Sequence, residues 1–294
     1  MSIYIDQSTR VIVQGMTGKE GSYWTKHMRD MGTCVLAGVT PGKGGQEMDG
    51  IPVFNKVKEA CDAFQPDASM IFVPPRHTKG AVFEALEAGI KLLVTLAEGI
   101  PLHEMALIRS YAKEKGATVL GGNTSGIISP GKAMMGSLPY WIQRVYKPGR
   151  IGVITRSGSL TNEVTAMVVK AGYGISTLVG VGGDPIPGTR FAEVLPLFEE
   201  DSETDGVVII GELGGSMEEE AAELIHQGGY TKPLVAYLSG RTAPENVKMG
   251  HAGAIATGGR GAVRDKVAAL EGAGVFVADR PSRVGAMLNQ AMGK

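Results

Sequence analysis

The chain has 294 residues, enough for about two domains that each bury a core of their own. Its 29 Lys+Arg stand against 30 Asp+Glu, a formal net charge of -1, so no long-range field points to nucleic acid or an anionic membrane surface and only local phosphate sites remain open. The 43 glycines are about twice the share expected at average usage, yet they form neither a period nor a linker; they punctuate turns, where backbone can approach a ligand closely. Cys34 and Cys61 lack metal-type spacing and read as reduced side chains. Asp6-Gln7-Ser8-Thr9-Arg10 is not an export signal and no apolar run approaches a membrane span, so the expectation is a cytoplasmic protein.

In chain order, a β-branched run predicts a strand over 10–14, followed by Gly15-x-x-Gly18-x-x-Gly21 and a helix over 22–31. Further apolar strands are predicted at 34–39, 68–73, 92–96 and 118–120, with helical periods over 80–88 and 102–115 between them. Turn residues crowd 123–149, including Ser129-Pro130-Gly131 and Lys147-Pro148-Gly149, which marks a domain junction. A second strand series follows at 151–154, 176–181, 206–210, 234–238 and 275–277. Strands alternating with helices predict an α/β architecture in both halves, with parallel sheets covered on both faces.

The first glycine loop lies where the free N–H groups and dipole of a helix start favour an anion, although a tight structural turn has the same composition. A dinucleotide site would also need an acidic residue after the second strand. That place is held by Thr40-Pro41-Gly42-Lys43-Gly44-Gly45, which argues against NAD and suits a ligand carrying more phosphate. Val73-Pro74-Pro75 and Ala97-Glu98-Gly99 end the third and fourth strands, where turns line a ligand crevice or simply connect to helices.

In the second half, Thr155-Arg156-Ser157-Gly158-Ser159 joins a strand to a helix and reads either as an anion site or as a helix cap. The 182–188 segment reads as a rigid hairpin-like turn, with Asp184 either a turn former or a substrate contact and the turn the preferred reading. Glu212, after the strand at 206–210, is either a solvated loop carboxylate or the partner of a histidine ring nitrogen. His251 stands among Gly250, Ala252, Gly253 and Ala254, a setting that admits a large reactant but equally suits a loop hydrogen bond.

Taken together, Gln14-Gly15 to Gly21, the Gly38 to Gly45 stretch, Glu98-Gly99-Ile100-Pro101, Arg156-Ser157-Gly158, Gly182 to Gly188, Ile210-Gly211-Glu212 with Gly214-Gly215, and Gly250-His251-Ala252-Gly253-Ala254 closely resemble the α subunits of succinyl-CoA synthetase (succinate–CoA ligase, ADP- or GDP-forming) over essentially the whole length. The resemblance implies an N-terminal Rossmann-like CoA-binding domain over 1–125 and a C-terminal flavodoxin-like, doubly wound ligase domain over 126–294. It implies that His251 is the phosphohistidine intermediate, with Glu212 orienting it and Ser157, Gly158 and Ser159 holding phosphate. Coenzyme A would be bound by Gly15, Thr17, Gly18, Lys19, Glu20, Lys43, Pro74, Ala97, Glu98 and Gly99. A separate β subunit of ATP-grasp fold would hold ATP or GTP with Mg²⁺, in an αβ or α₂β₂ assembly.

The chemistry agrees with that assignment. A carboxylate is a poor electrophile until converted to an acyl phosphate, and a neutral imidazole can carry the phosphoryl group to it.

Departures gather on the acid side. Where the succinate enzymes usually read Gly-Pro-Asn-Cys-Pro-Gly, this chain has Gly121-Gly122-Asn123-Thr124-Ser125-Gly126; where many relatives carry Tyr before the glutamate, this chain has Asn162 before Glu163, and in this it resembles the corresponding segment of ATP-citrate lyase. The 139–144 segment also departs from the usual pattern. Asn123, Thr124, Ser125 and Asn162 therefore become candidate contacts to a more polar or larger acid than succinate, such as malate, citrate or a sulfonated carboxylate. A CoA-binding regulatory module would not need His251 and Glu212 together, and an NAD-dependent dehydrogenase would need the missing acid.

Overall fold

The computed structural model describes residues 2–244, 249–256 and 261–294. The chain divides into two compact units: one of Tyr4–Leu138 with Ile186–Gly188, the other of Pro139–Pro185 with Thr189–Lys294 and the residues before Tyr4.

The first unit opens with β1 (Arg10–Gln14), α1 (Lys19–Met31), β2 (Cys34–Val39), β3 (Glu47–Met48), β4 (Ile51–Phe54) and α2 (Val57–Phe64). It continues with β5 (Ala68–Ile71), α3 (Pro75–Glu87), β6 (Leu92–Thr95), α4 (Leu102–Glu114), β7 (Thr118–Leu120), β8 (Gly126–Ser129) and β9 (Ala133–Gly136). Its main sheet runs β3-β4-β2-β1-β5-β6-β7, with only the short β3 antiparallel. Without that edge, the order is the Rossmann order, and it reverses between β1 and β5. All residues of β5 and β6 are buried, as strands covered on both faces must be.

The predicted strands fall in place, but two end early, at Ile71 and Thr95, where the chain turns toward α3 and α4. α3 starts at Pro75, ahead of the expected 80, because proline is pre-set for the first helical position and gives up no hydrogen bond there. The predicted junction contains the antiparallel β8–β9 hairpin. Thr33, just past α1, ties it down: its Oγ1 donates to the Met134 carbonyl at 2.7 Å and accepts from the Met134 N–H at 2.9 Å. This compact unit consequently runs on to Leu138, past the expected end at 125.

The second unit contains β10 (Pro148–Thr155), α5 (Gly158–Lys170), β11 (Ile175–Gly180), α6 (Phe191–Glu200), β12 (Gly206–Glu212), α7 (Met217–His226) and β13 (Leu234–Ser239). After these come α8 (Val263–Gly272), β14 (Phe276–Ala278), a 3-10 turn over Pro281–Arg283 and α9 (Val284–Ala291). Five parallel strands run β14-β13-β12-β10-β11, the flavodoxin order, reversing between β10 and β12. The 182–188 segment is not a hairpin: it follows β11 and leads into α6, so the chain crosses over rather than turning back on an antiparallel partner. Among the described residues, no helix is long and apolar enough to cross a membrane.

Candidate active site

In a parallel sheet the crevice opens beyond the carboxyl ends of the strands where their order reverses. In the second unit that point lies between β10 and β12. Every residue of β12 is buried, including the last, Glu212, which is 4% exposed. A carboxylate there needs partners, and it has them. His251 Nδ1 lies 2.9 Å from Glu212 Oε2 and 3.2 Å from Oε1, while the imidazole side chain keeps 25% of its surface exposed. Glu212 is therefore a buried histidine partner and not a solvated loop group.

The loop carrying His251 closes on itself, the Met249 N–H donating to the Ala254 carbonyl and the Ala254 N–H to the His251 carbonyl. It rests on the 182–184 segment, where the Gly253 N–H donates to the Gly183 carbonyl at 3.1 Å. A Cβ added at Gly183 would lie 2.6 Å from His251 Nδ1 and 2.7 Å from the ring carbon beside it. Glycine is needed there for that close approach.

The turn after β10 supplies Arg156 and the start of α5. Ser157, buried, is the helix N-cap, its hydroxyl accepting from the Leu160 N–H, and both Gly158 and Ser159 are exposed in the first turn. The cap and the anion reading thus share one place: Ser157 closes the helix end and leaves first-turn backbone N–H groups toward solvent.

Behind Glu212 stands a row of charges that sequence reading did not single out. Arg156 Nη1 donates to the Gly214 carbonyl at 2.8 Å and lies 3.4 Å from Glu218 Oε1, and its Nε lies 3.6 Å from Glu212 Oε1. Glu218 also accepts the N–H of Glu212 at 3.2 Å and is bonded to Lys266, both being fully buried. Burial opposes ionisation of Glu218, but the charges of Arg156 and Lys266 outweigh it and hold the carboxyl below the ordinary range. One signal was present in the sequence: Lys266 falls with Val263 and Leu270 on the buried face of α8.

In the first unit, the reversal between β1 and β5 opens a cavity of about 560 Å³ lined by Gly15, Thr17, Gly18, Thr40, Pro74 and His77, among others. Gly15 has φ +75°, and a Cβ on it would meet the Phe72 carbonyl at 2.3 Å, so only glycine lets the loop pass the end of β5. Gly18 caps α1 without a side-chain bond, leaving that helix start to an outside acceptor. Lys19 and Glu20, the first residues of α1, are exposed and do not line the cavity; Glu20 accepts from Trp24 Nε1. Lys43 is exposed on a turn braced by Asn55 Oδ1, which accepts the N–H groups of Gly42 and Gly44. Ala97, Glu98 and Gly99 follow β6 outside the cavity lining, with the Ala97 carbonyl accepting from the Asn123 N–H. His77 is a wall residue missed from sequence.

The acid-side candidates belong to different units of the chain. Asn123, Thr124 and Ser125 form the turn between β7 and β8. Thr124 Oγ1 accepts from the Gly126 N–H, whereas Asn123 Nδ2 and Ser125 Oγ are buried atoms with no hydrogen-bond partner among the described residues. Asn162, on α5, accepts the Tyr146 hydroxyl at 2.6 Å and borders a cavity of about 720 Å³ with Ile142, Val145, Ser159 and Lys170.

One sheet edge carries a glycine-lined cavity and another a carboxylate-held histidine, an arrangement suited to group transfer, and comparison with known proteins puts the chain among ligases. Residues 6–99 match the CoA binding domain and residues 154–276 the CoA-ligase domain. The chain is 67% identical over 290 residues to the ADP-forming sulfoacetate-CoA ligase subunit SqwL of Acholeplasma sp, covering 99% of this chain and 98% of that one. It is 50% identical over 279 residues to subunit alpha 1 of the ADP-forming succinate–CoA ligase of Archaeoglobus fulgidus, covering 95% and 94%. Among solved structures, ATP citrate lyase from Methanothrix soehngenii in complex with citrate and coenzyme A superposes with a TM-score of 0.90 at 25% identity, over 99% of this chain and 50% of the lyase chain. The chain belongs to the family of ADP-forming acid–CoA ligase subunits that includes the succinate–CoA ligase α subunits.

Proposed function

We propose that this chain is the α subunit of an ADP-forming ligase that joins a sulfonated carboxylic acid of the sulfoacetate type to coenzyme A, through a phosphohistidine at His251 and an acyl phosphate. The observation that carries the mechanism is the 2.9 Å contact between His251 Nδ1 and buried Glu212. With its proton on Nδ1 and donated to Glu212, the imidazole has its lone pair on Nε2. Nε2 forms a bond to the γ-phosphorus as the bond to ADP breaks. The substrate carboxylate then takes the phosphoryl group from Nε2, giving an acyl phosphate and restoring the imidazole. The acyl carbon finally bonds to the sulfur of coenzyme A as its bond to the phosphate oxygen breaks, the thiol proton leaving with inorganic phosphate. First-turn N–H groups at Gly158 and Ser159 serve the phosphoryl oxygens.

Coenzyme A fits the first unit: the cavity at the β1–β5 reversal, the loop that Gly15 alone permits, and the side-chain-free start of α1 suit a pyrophosphate. Within this reading Gly15, Thr17, Gly18 and Pro74 line that site, and Lys19, Glu20, Lys43, Ala97, Glu98 and Gly99 serve the parts of the molecule that extend beyond it. Among the described residues, no group of three or more His, Cys, Asp or Glu side chains is set to hold a metal ion. ATP with Mg²⁺ is assigned to a partner β subunit of ATP-grasp fold, in an αβ or α₂β₂ assembly in the cytoplasm; ATP is preferred to GTP because the relatives are ADP-forming.

The choice of acid rests on the sulfoacetate ligase relative and on the unpartnered Asn123 Nδ2 and Ser125 Oγ, buried donors that an anionic, oxygen-rich acid would satisfy. Asn162, its carbonyl held by Tyr146, would offer its amide N–H groups. The test is labelling with γ-³²P-ATP in the presence of the partner subunit. The chain should take up acid-labile, base-stable phosphate, and His251→Asn should abolish the label while coenzyme A still binds. Label that persists in His251→Asn contradicts the mechanism.

A further inference from the structure

Arg156, Glu218 and Lys266 are 2%, 0% and 0% exposed, directly behind Glu212. Desolvating this many charges costs several kcal/mol per ion before pairing offsets it, and well-packed apolar side chains would serve stability at least as well. The row is nevertheless continuous. Lys266 Nζ is bonded to Glu218 Oε2 and also donates to the Gly215 carbonyl at 3.1 Å and Glu219 Oε2 at 3.0 Å. Glu218 Oε1 faces Arg156 Nη1 at 3.4 Å and accepts the N–H of Glu212 itself at 3.2 Å. Arg156 reaches the Glu212 carboxylate at 3.6 Å and the Gly214 carbonyl at 2.8 Å, and Glu212 in turn holds the imidazole. The row comes from three separate elements, the β10–α5 turn, α7 and α8, and converges on one histidine.

We infer that Arg156, Glu218 and Lys266 are positioning residues for phosphoryl transfer: the Glu218–Lys266 pair seats the Arg156 guanidinium, and the row's net charge behind Glu212 sets the pH range over which His251 accepts the phosphoryl group. The inference rests on the proposed role of His251. The charged groups facing Glu212 and His251 among the described residues are Arg156, Glu218 and Glu219 from α7, Lys266 from α8, and buried Asp184 from the segment against which the histidine loop packs. Removing the negative charge of Glu218 takes one anion from between Arg156 and Lys266, which keep only their contacts to Glu212 and Glu219, and the added positive charge disfavours an imidazolium; removing the positive charge of Lys266 favours it. Purely structural damage has no such sign.

The experiment is the initial rate of His251 phosphorylation by γ-labelled ATP, measured from pH 5.5 to 9 in the reconstituted complex. Glu218→Gln should move the acidic limb to lower pH and Lys266→Met to higher pH, each by roughly half a unit or more at the effective dielectric of such sites. The double variant, neutral and similar in volume, should return the limb toward the native position. Arg156→Lys, which keeps the charge but loses the planar fork, should lower the rate about tenfold or more at every pH with the KM for ATP unchanged. Single variants that shift the limb in the same direction or not at all overturn the inference. If the singles do not fold, a double variant displaced from the native limb, or Arg156→Lys at the native rate, overturns it. Absence of label on the native chain, or label surviving in His251→Asn, overturns the reading of His251 and this inference with it; a label lost in His251→Asn beside unshifted variants overturns this inference alone.

Discussion

Gly183→Ala tests the seat of the imidazole with a single methyl group. The position has no left-handed backbone requirement, so alanine is tolerated by the main chain and the effect lies in the contact itself. The added Cβ would stand 2.6 Å from His251 Nδ1, and ordinary contact begins near 3.4 Å, so the ring must retreat by about 0.8 Å or swing out. Either motion, away from a 2.9 Å bond to Glu212, forfeits a hydrogen bond to a charged group, worth about 1.5 to 3 kcal/mol. The rate of His251 phosphorylation should therefore fall by roughly 10- to 150-fold at saturating ATP. Coenzyme A binding, at the other sheet edge, should be unchanged and reports that the chain is folded. A phosphorylation rate within about twofold of native, with coenzyme A bound normally, refutes the claim that Gly183 and Glu212 together fix the ring.

Three further outcomes follow from other parts of the structure. Lys43→Ala should weaken coenzyme A binding about 5- to 150-fold by isothermal titration if Lys43 makes a charge-assisted phosphate contact; unchanged affinity removes it from the site. Restoring Cys at Thr124, Pro at Ser125 and Tyr at Asn162 should shift the ratio of kcat/KM from the sulfonated acid toward succinate, and an unshifted ratio in a folded variant makes those positions neutral to the choice of acid. Glu218 is held below its usual 4.5 by Arg156 and Lys266 against the effect of burial, so its contribution to stability is full above the unfolded carboxylate range and lost as pH falls through the lowered folded value. Across that window the Tm of the native chain should fall more steeply than that of the Glu218→Gln/Lys266→Met variant; parallel curves contradict the assignment.

Both sheets were legible because their central strands, such as 68–71 and 206–212, are buried on both faces and so read as unbroken apolar runs. The glycine loop after β1 and the glycine-flanked histidine were legible for the same kind of reason: local composition reports local geometry. The β8–β9 hairpin was not. Its Gly126 to Gly136 stretch looks like a junction, and what makes it an ordered element is Thr33, 101 residues away. The histidine–glutamate pair was visible only as two fitting residue types, whereas its burial and the closeness of Gly183 come from loops brought together by the strand reversal. The row behind Glu212 was least legible, since Arg156, Glu218 and Lys266 are 62 and 48 residues apart and Glu218 hides in the acidic run 218–220, which reads as a solvated helix start.

The most direct test of the central claim is a chase from the phosphorylated enzyme. The complex is charged with γ-³²P-ATP, freed of nucleotide, and mixed with coenzyme A and either sulfoacetate or succinate in a rapid-quench apparatus. With sulfoacetate, the label should leave His251 as inorganic phosphate in one-to-one step with formation of the sulfoacetyl thioester, and faster than with succinate. Label that stays on His251 while the thioester forms, or a chase that runs faster with succinate, contradicts the account.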